Sequence, residues 1–337
     1  MLASWHWHIE ISSRCTLKCP RCSRQEVPDG LINTELKLDF FIKNFPPEFV
    51  REHVEKITFC GDDGDPIYSS DLISTIKYFK QIKPELSIVI VTNGSYKKIT
   101  WWQDLAKVLN EHDTVHFSID GWDQDSNNIY RINNNFESIL DGIQTLRQCS
   151  NAFIVWAAIA FKFNENHIEH MKNLAKELGM DQFQLTKSTK FGSVYNHYGD
   201  NDELEPSSKY ISSTMRFERE IVSLSPKEQT THTQICDKNY HSLIATDNNV
   251  LPLCSVGNKG LFINSRGEFF PCCWTANRYT HNNQWHKISK NFNLHHINVT
   301  DVLNNSFWNN EFQTYHWLEC QTKCNSNVVS AEYAQEW

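Results

Sequence analysis

Short apolar or alternating runs recur along the first 190 positions, and most are followed by longer stretches whose apolar residues fall three and four apart. HWHIEIS, KITFCG, SIVIVT, TVHFSID, FIVWAAIAF and QFQLT are rich in β-branched and aromatic residues and read as strands, the first at about residues 5–11. DLISTIKYFKQI, WWQDLAKVLNEH, FESILDGIQTLRQC and NHIEHMKNLAKELG lie between them with the spacing of amphipathic helices. This alternation predicts a parallel sheet covered by helices, and FIVWAAIAF, apolar almost throughout, suits a strand buried on both faces. Chemistry in such folds gathers at the C-terminal ends of the strands, so the residues after each run are the candidates for a site.

Beyond residue 190 the pattern loosens. The turn-rich FGSVYNHYGDNDELEP leads into one helical stretch, SSKYISSTMRFEREIVSL. If this segment covers the mouth of the sheet, Tyr195, His197 and Tyr198 touch substrate; an exposed loop is the plain alternative. Farther on, LFI and FFP flank NSRGE, which reads as a hairpin turn with Gly267 where φ must be positive. Three parts are expected: 1–190, a connection over 191–250, and 251–337. Trp5 and Trp7 alternate with His6 and His8, so these four read as two faces of a strand rather than a metal site.

Composition narrows the classes. The 337 residues suffice for a barrel with one appendage. With 32 basic and 40 acidic residues the net charge is −8, which gives no footprint for a nucleic-acid backbone but permits a small nucleotide. No run of about 18 apolar residues occurs, and MLASWHWHIE reads as neither signal peptide nor membrane span. The 11 cysteines, an odd number grouped in metal-ligand spacings, point to a reducing cytoplasm rather than a disulfide framework.

Cys15, Cys19 and Cys22 in CTLKCPRC, spaced C-x3-C-x2-C directly after the first strand, are the most informative of them. Three thiolates on one loop can hold three irons of a [4Fe–4S] cube and leave the fourth open. Zinc is the alternative, but a structural zinc takes a fourth protein ligand and favours paired C-x2-C knuckles. The spacing resembles the signature of the radical S-adenosylmethionine (radical SAM) superfamily. That resemblance implies a partial (β/α)6 TIM-like barrel, S-adenosylmethionine chelated at the open iron, and its homolysis to methionine and a 5′-deoxyadenosyl radical.

The resemblance extends to the strand ends. Gly64, Asp65 and Pro66 in CGDDGDP resemble the second half of the family's Gly-Gly-Glu-Pro element, which implies that Asp65 faces the cofactor's ammonium, one methylene shorter than the family's Glu. A Gly/Asp-rich turn is the alternative. Thr92 and Asn93, followed by Gly94, resemble a common strand ending of the family, and Ser118, Asp120 and Arg131 are similar to its ribose and carboxylate contacts. A guanidinium fits a carboxylate bidentately, so Arg131 is the candidate partner of the methionine carboxylate, against the alternative of an exposed helix-entry arginine. Arg21 departs from the pattern, which often has an aromatic residue there; the adenine would then rest on a side chain of FIVWAAIAF or near Asn164.

Cys254, Gly267 and Cys272, spaced C-x12-G-x4-C, resemble the opening of SPASM and twitch domains. With Cys320 and Cys324 they make four ligands for one auxiliary [4Fe–4S] cluster, and five cysteines beyond residue 250 suit a one-cluster twitch domain better than a full SPASM domain. Zinc on the same four thiolates is the alternative. Cys273 could replace Cys272 as ligand, Cys236 or Cys273 could donate a hydrogen atom to a substrate radical, and Cys60 and Cys149 are left as a strand end and a small core hydrophobe.

Together these resemblances imply a radical SAM oxidoreductase or maturase of the SPASM/twitch subgroup, reduced by a flavodoxin- or ferredoxin-type donor. Its auxiliary cluster would accept the substrate radical's electron, giving oxidative modification of a peptide or protein side chain. The cysteine loop starts too early for a leader-binding module ahead of it, which weakens the peptide reading. The alternatives are a dehydrogenase, isomerase or epimerase of a small polyol or nucleotide-like substrate, and a non-catalytic metal-binding scaffold.

Overall fold

The computed structural model describes residues 5–187, 191, 202–207, 212–217, 261–276 and 287–307. All six expected strands are present: β1 (Trp5–Ile9), β2 (Val54–Phe59), β3 (Ser87–Thr92), β4 (Thr114–Ser118), β5 (Phe153–Ile159) and β6 (Gln182–Thr186). They pair in parallel and in chain order, the arrangement of a partial barrel. Helices Leu72–Ile82, Ile99–Ala106, Phe136–Cys149 and Ile168–Glu177 supply the crossovers, as the periodicity predicts. Two more, Leu38–Asn44 and Pro47–His53, precede β2 in a stretch too short to announce them by period.

One face of the sheet packs on these helices. Trp7, Ile57, Phe59, Ile88, Phe117 and Trp156 are fully buried there, against Phe41, Phe79, Trp102 and Ile143 of the helices. Each such side chain contributes about 1.5–3 kcal/mol by leaving water. Buried carboxylates fix the starts of the strands: Asp113 accepts from the Ile88 amide at 2.9 Å and pairs with Lys80 at 2.6 Å, and Asp181 accepts from the Ile154 amide at 2.7 Å and pairs with Arg147 at 3.0 Å.

The other face differs in character. His6 and His8 on β1 lie in register with Lys56 and Thr58 on β2, and Thr114, His116 and Ser118 of β4 share that side. Most of its residues are only half-buried, and the expectation that β5 is covered on both faces is corrected accordingly: Phe153, Ala157 and Ile159 keep some exposure. Apolar character in that run reflects the lining of an accessible interior rather than a second packed layer.

Past β6 one expectation fails and another holds. The helix expected across SSKYISSTMRFEREIVSL gives way at Ser213–Arg216 to a strand, β7, antiparallel to β6. The free edge of β6 offers unpaired backbone groups, and pairing with them overrides a weak helical period. The hairpin predicted around NSRGE is present as β8 (Leu261–Ile263) and β9 (Phe269–Phe270). Gly267 turns it with φ +76°, and a Cβ there would meet His295 Cδ2 at 2.7 Å. Unannounced by the sequence, β8 also pairs in parallel with β1, so the hairpin extends the main sheet to nine strands. Among the described residues no helix is long and apolar enough to cross a membrane. Tyr195, His197, Tyr198, Cys236, Cys254, Cys320 and Cys324 lie outside the described residues.

Candidate active site

The three cysteines leave β1 on a loop that ends in a short helix, Ser23–Glu26, with Cys22 as its N-cap and the Cys22 amide donating to the Cys19 carbonyl at 3.1 Å. Neighbouring strand-end loops pin this loop on several sides. Arg24 donates to the Ser13 carbonyl and, at 2.9 Å, to that of Asp63, while Ser23 Oγ donates to the Asp62 carbonyl at 2.7 Å. Farther along, the Lys18 amide donates to Ile132 at 3.0 Å and Asn133 Nδ2 to the Thr16 carbonyl at 2.8 Å.

Under the loop lies an apolar cluster separate from the main core. Leu17, Cys19, Tyr130 and Phe161 are buried in it, with Cys15, Cys22, Phe163, Phe191 and Leu204 packed against them. Tyr130 and Phe161 lie 4.3 Å apart, ring to ring. The departure at Arg21 also has a structural place: its buried guanidinium pairs with Asp202 and sits 5.8 Å from the Phe191 ring.

Asp65 stands beside Cys15, fully inside the protein. Its Oδ1 accepts from Thr92 Oγ1 at 2.8 Å and the Ile67 amide at 3.2 Å; its Oδ2 accepts from the Asn93 amide at 2.6 Å and Asn93 Nδ2 at 2.5 Å. Asn93 Nδ2 also lies 3.7 Å from Cys15 Sγ. Four donors saturate a carboxylate, so Asp65 locks the β2 and β3 ends together and offers an incoming group its charge. Burial pushes its carboxyl up to about 6, against the pull of those donors and of Arg131. Burial first, then Asp65, pushes the Cys15 thiol up to about 12. A neutral thiol is thus favoured until a cation draws it into ligation.

Gly64 must be glycine for this approach, because a Cβ there would lie 1.9 Å from the Ser12 carbonyl oxygen. Pro66 opens the short 3-10 turn Pro66–Tyr68 that Asp65 caps. Thr92 Oγ1 accepts from the Gly94 amide at 3.0 Å, and Asn93 Oδ1 from the Ser95 amide at 2.9 Å. Ser118 ends β4 half-buried, and Asp120, fully buried, follows it.

Asp120 accepts from Arg131 Nε at 2.6 Å and from the Ile159 amide at 2.7 Å. Its oxygens are thus directed inward, and it acts on Arg131 rather than presenting a free carboxylate. The terminal nitrogens of Arg131 make no hydrogen bond to the described residues, and the side chain keeps 16% of its exposure. Asp120 first and Cys19 next hold the guanidinium firmly charged against its burial. Asn164 ties the β4 and β5 ends together, donating to the Asp120 and Ile159 carbonyls at 2.8 Å each and accepting from the Phe161 amide at 2.8 Å.

Glu10 is a member of the site that sequence reasoning missed. At the end of β1 it accepts from the Asp63 amide at 2.7 Å, the Gly64 amide at 3.2 Å and the Ser265 amide at 3.2 Å, so it joins the Asp65 loop to the β8–β9 hairpin. Burial, then the nearby Asp63, raises it to about 7. The available signal was its place in the alternation after His6 and His8. Just past the hairpin, Cys273 packs against the main core from a one-turn helix, while Cys272 is half-buried before it.

The donor set suits an iron–sulfur cube. Three thiols over an apolar floor, a buried carboxylate and a guanidinium with open terminal nitrogens match a cube and a ligand bearing both an ammonium and a carboxylate.

The Radical SAM superfamily model matches residues 9–178, half of the chain, and the chain belongs to that superfamily. Membership implies a [4Fe–4S] cluster and S-adenosylmethionine as cofactors. No curated protein matches the sequence. Among solved structures, Streptococcus suis SuiB bound to S-adenosylmethionine is similar at 12% identity and TM-score 0.56, over 93% of this chain and 68% of SuiB. SuiB bound to the precursor peptide SuiA gives 12% and 0.56 over 94% and 68%. Native anSMEcpe with bound AdoMet and Cp18Cys peptide gives 17% and 0.45 over 60% of this chain and 55% of that one. The SuiB likeness is one of fold.

Proposed function

We propose that this protein is a radical SAM maturase of the SPASM/twitch subgroup that abstracts hydrogen from a carbon of a peptide or protein side chain. The observation that carries the reading is the meeting, at one end of the sheet, of the cysteine loop, the Asp65–Thr92–Asn93 lock and the Asp120-held Arg131. Cys15, Cys19 and Cys22 would hold three irons of a cluster, which when bound would supply the electron for reductive cleavage of S-adenosylmethionine. Asp65 would counter the cofactor's ammonium and Arg131 would take its carboxylate; Thr92, Asn93 and Ser118 order the surroundings, and Gly64 and Pro66 shape the loop. The aromatic floor of Tyr130 and Phe161 excludes water.

Residues 1–190 form the radical SAM barrel in this reading, 191–250 the connection, and 251–337 a twitch-type domain whose Cys254, Cys272, Cys320 and Cys324 hold an auxiliary [4Fe–4S] cluster for electron transfer. Packing of Cys273 into the core favours Cys272 as the ligand. The peptide class takes its direction from the shared fold of SuiB, which is bound to a precursor peptide. A flavodoxin- or ferredoxin-type donor in a reducing cytoplasm completes the scheme. Side-chain-deuterated candidate peptides test it: label appearing in 5′-deoxyadenosine supports a peptide substrate, and its absence with every peptide tells against one. Replacing Cys15, Cys19 and Cys22 together by alanine should abolish cofactor cleavage.

A further inference from the structure

Below the strand ends that carry Asp65, Thr92 and Ser118, on the face turned from the helices, three basic side chains gather. His6 and Lys56 are register partners on β1 and β2. His116 projects from β4 on the same face, separated from Lys56 only by Ser87, Val89 and Val91 of β3. The charge of Lys56 reaches both imidazoles: burial first, then Lys56, lowers His6 to about 3 and His116 to about 4. Both rings are therefore neutral near pH 7, and each can donate one N–H. His6 Nε2 shares a hydrogen bond with Thr58 Oγ1 at 3.3 Å.

Lys56 makes no hydrogen bond or ion pair with the described residues. Burial lowers its pKa, and among the described residues the acidic group acting on it is its neighbour Glu55, whose own side chain is exposed. Among the described residues of β1 to β6 this face carries no Asp or Glu, and Glu10, which follows β1 on it, is taken up by the Asp63, Gly64 and Ser265 amides. A cation placed among neutral N–H donors, with no described carboxylate paired to it, is costly to keep without a counter-charge. Main-chain rise of about 3.3 Å per residue puts Lys56, three residues before the end of β2, about 10 Å below the cofactor end.

We propose that Lys56, His6 and His116 form a receptor for an oxyanion of the substrate, a carboxylate or a phosphate ester, which anchors the molecule in the interior with its reacting carbon nearer the strand ends. The inference deepens the proposed function, since it takes those strand ends as the cofactor's place. An acid-bearing peptide side chain or terminus and a phosphorylated small molecule share this chemistry.

Calorimetric titration of the reconstituted protein, with and without S-adenosylmethionine, distinguishes them, using N-acetylglutamate and inorganic phosphate as probes. Saturable binding is expected, weakened about tenfold or more in Lys56→Gln and largely retained in Lys56→Arg, as a charge-assisted contact requires. Tighter N-acetylglutamate assigns a peptide carboxylate, and tighter phosphate a phosphorylated substrate. Equal affinities in wild type and Lys56→Gln, or no saturable binding of either probe to wild type, overturn the receptor. S-adenosylmethionine affinity should not change in Lys56→Gln; a parallel loss would assign Lys56 to the cofactor and sink the proposal. Failure of the wild type to bind S-adenosylmethionine, with the oxyanions still bound through Lys56, counts against the proposed function alone.

Discussion

Asp65→Asn separates the charge of this residue from its architecture, because the replacement keeps its shape. In the wild type each carboxylate oxygen accepts two donors, one oxygen facing Thr92 and Ile67 and the other both nitrogens of Asn93. An amide NH2 in place of either oxygen faces two donors with a donor, at about 1–3 kcal/mol each, or about 2–6 kcal/mol. Relief comes from removing a buried charge. The folded carboxyl is raised from 3.8 to about 6, so the folded state holds its proton more tightly than the unfolded chain does. The resulting destabilisation is absent below 3.8 and fully present above about 6. At about 1.4 kcal/mol per pH unit it amounts to about 3 kcal/mol at pH 7. The two effects largely offset, and the variant should lose at most about 3 kcal/mol, read as a modest drop in melting temperature. Cofactor affinity should behave differently. Loss of the counter-charge to an ammonium costs about 1.5–3 kcal/mol, about tenfold or more in Kd. Wild-type affinity should also fall as pH drops through about 6, where Asp65 takes up a proton, whereas the variant should lack that dependence. Anaerobic calorimetry with S-adenosylmethionine from pH 5.5 to 8 checks both. A folded Asp65→Asn protein with wild-type affinity and the same pH profile would refute the assignment.

Gly64→Ala places a Cβ 1.9 Å from the Ser12 carbonyl oxygen and 2.5 Å from Ser13 Cα, so the two loops must part by about 1 Å; displacement on that scale should cut cofactor cleavage by about 100-fold, and retained wild-type turnover would contradict the packing argument. Arg131→Met strands the buried Asp120 carboxylate and should cost about 3–5 kcal/mol by denaturant titration. Combining it with Asp120→Asn should recover part of that stability but not cofactor affinity. Glu10→Gln keeps shape but removes the charge-assisted acceptor shared by the Asp63, Gly64 and Ser265 amides, so hydrogen exchange at all three should accelerate together; acceleration at Ser265 alone would show that Glu10 does not couple the hairpin to the Asp65 loop.

The legible parts of this chain are those set by local rules. The six parallel strands show in β-branched runs, Gly267 in the geometry of a tight turn, and the cysteine loop in its spacing, because each depends on residues near one another in sequence. Three features depend on contacts between distant segments. The strand at Ser213–Arg216 exists because β6 leaves an edge to pair with, and β8 joins β1 across some 250 positions. Glu10 acquires its role from amides of two loops that its own neighbours do not reveal. Asp120 was readable as a motif residue, but only the fold shows its carboxylate turned to Arg131 and Ile159. Spacing likewise marks Lys56 as one lysine in a strand, and only the register sets it beside His6 and across from His116.

The central claim is that Cys15, Cys19 and Cys22 hold a cube whose remaining iron accepts S-adenosylmethionine. Electron paramagnetic resonance of the reconstituted, dithionite-reduced protein, recorded with and without S-adenosylmethionine, tests it directly. A reduced-cluster signal that changes when S-adenosylmethionine is added, and loses that response when the three cysteines become alanine, is the predicted result. An identical spectrum with and without S-adenosylmethionine would contradict the account.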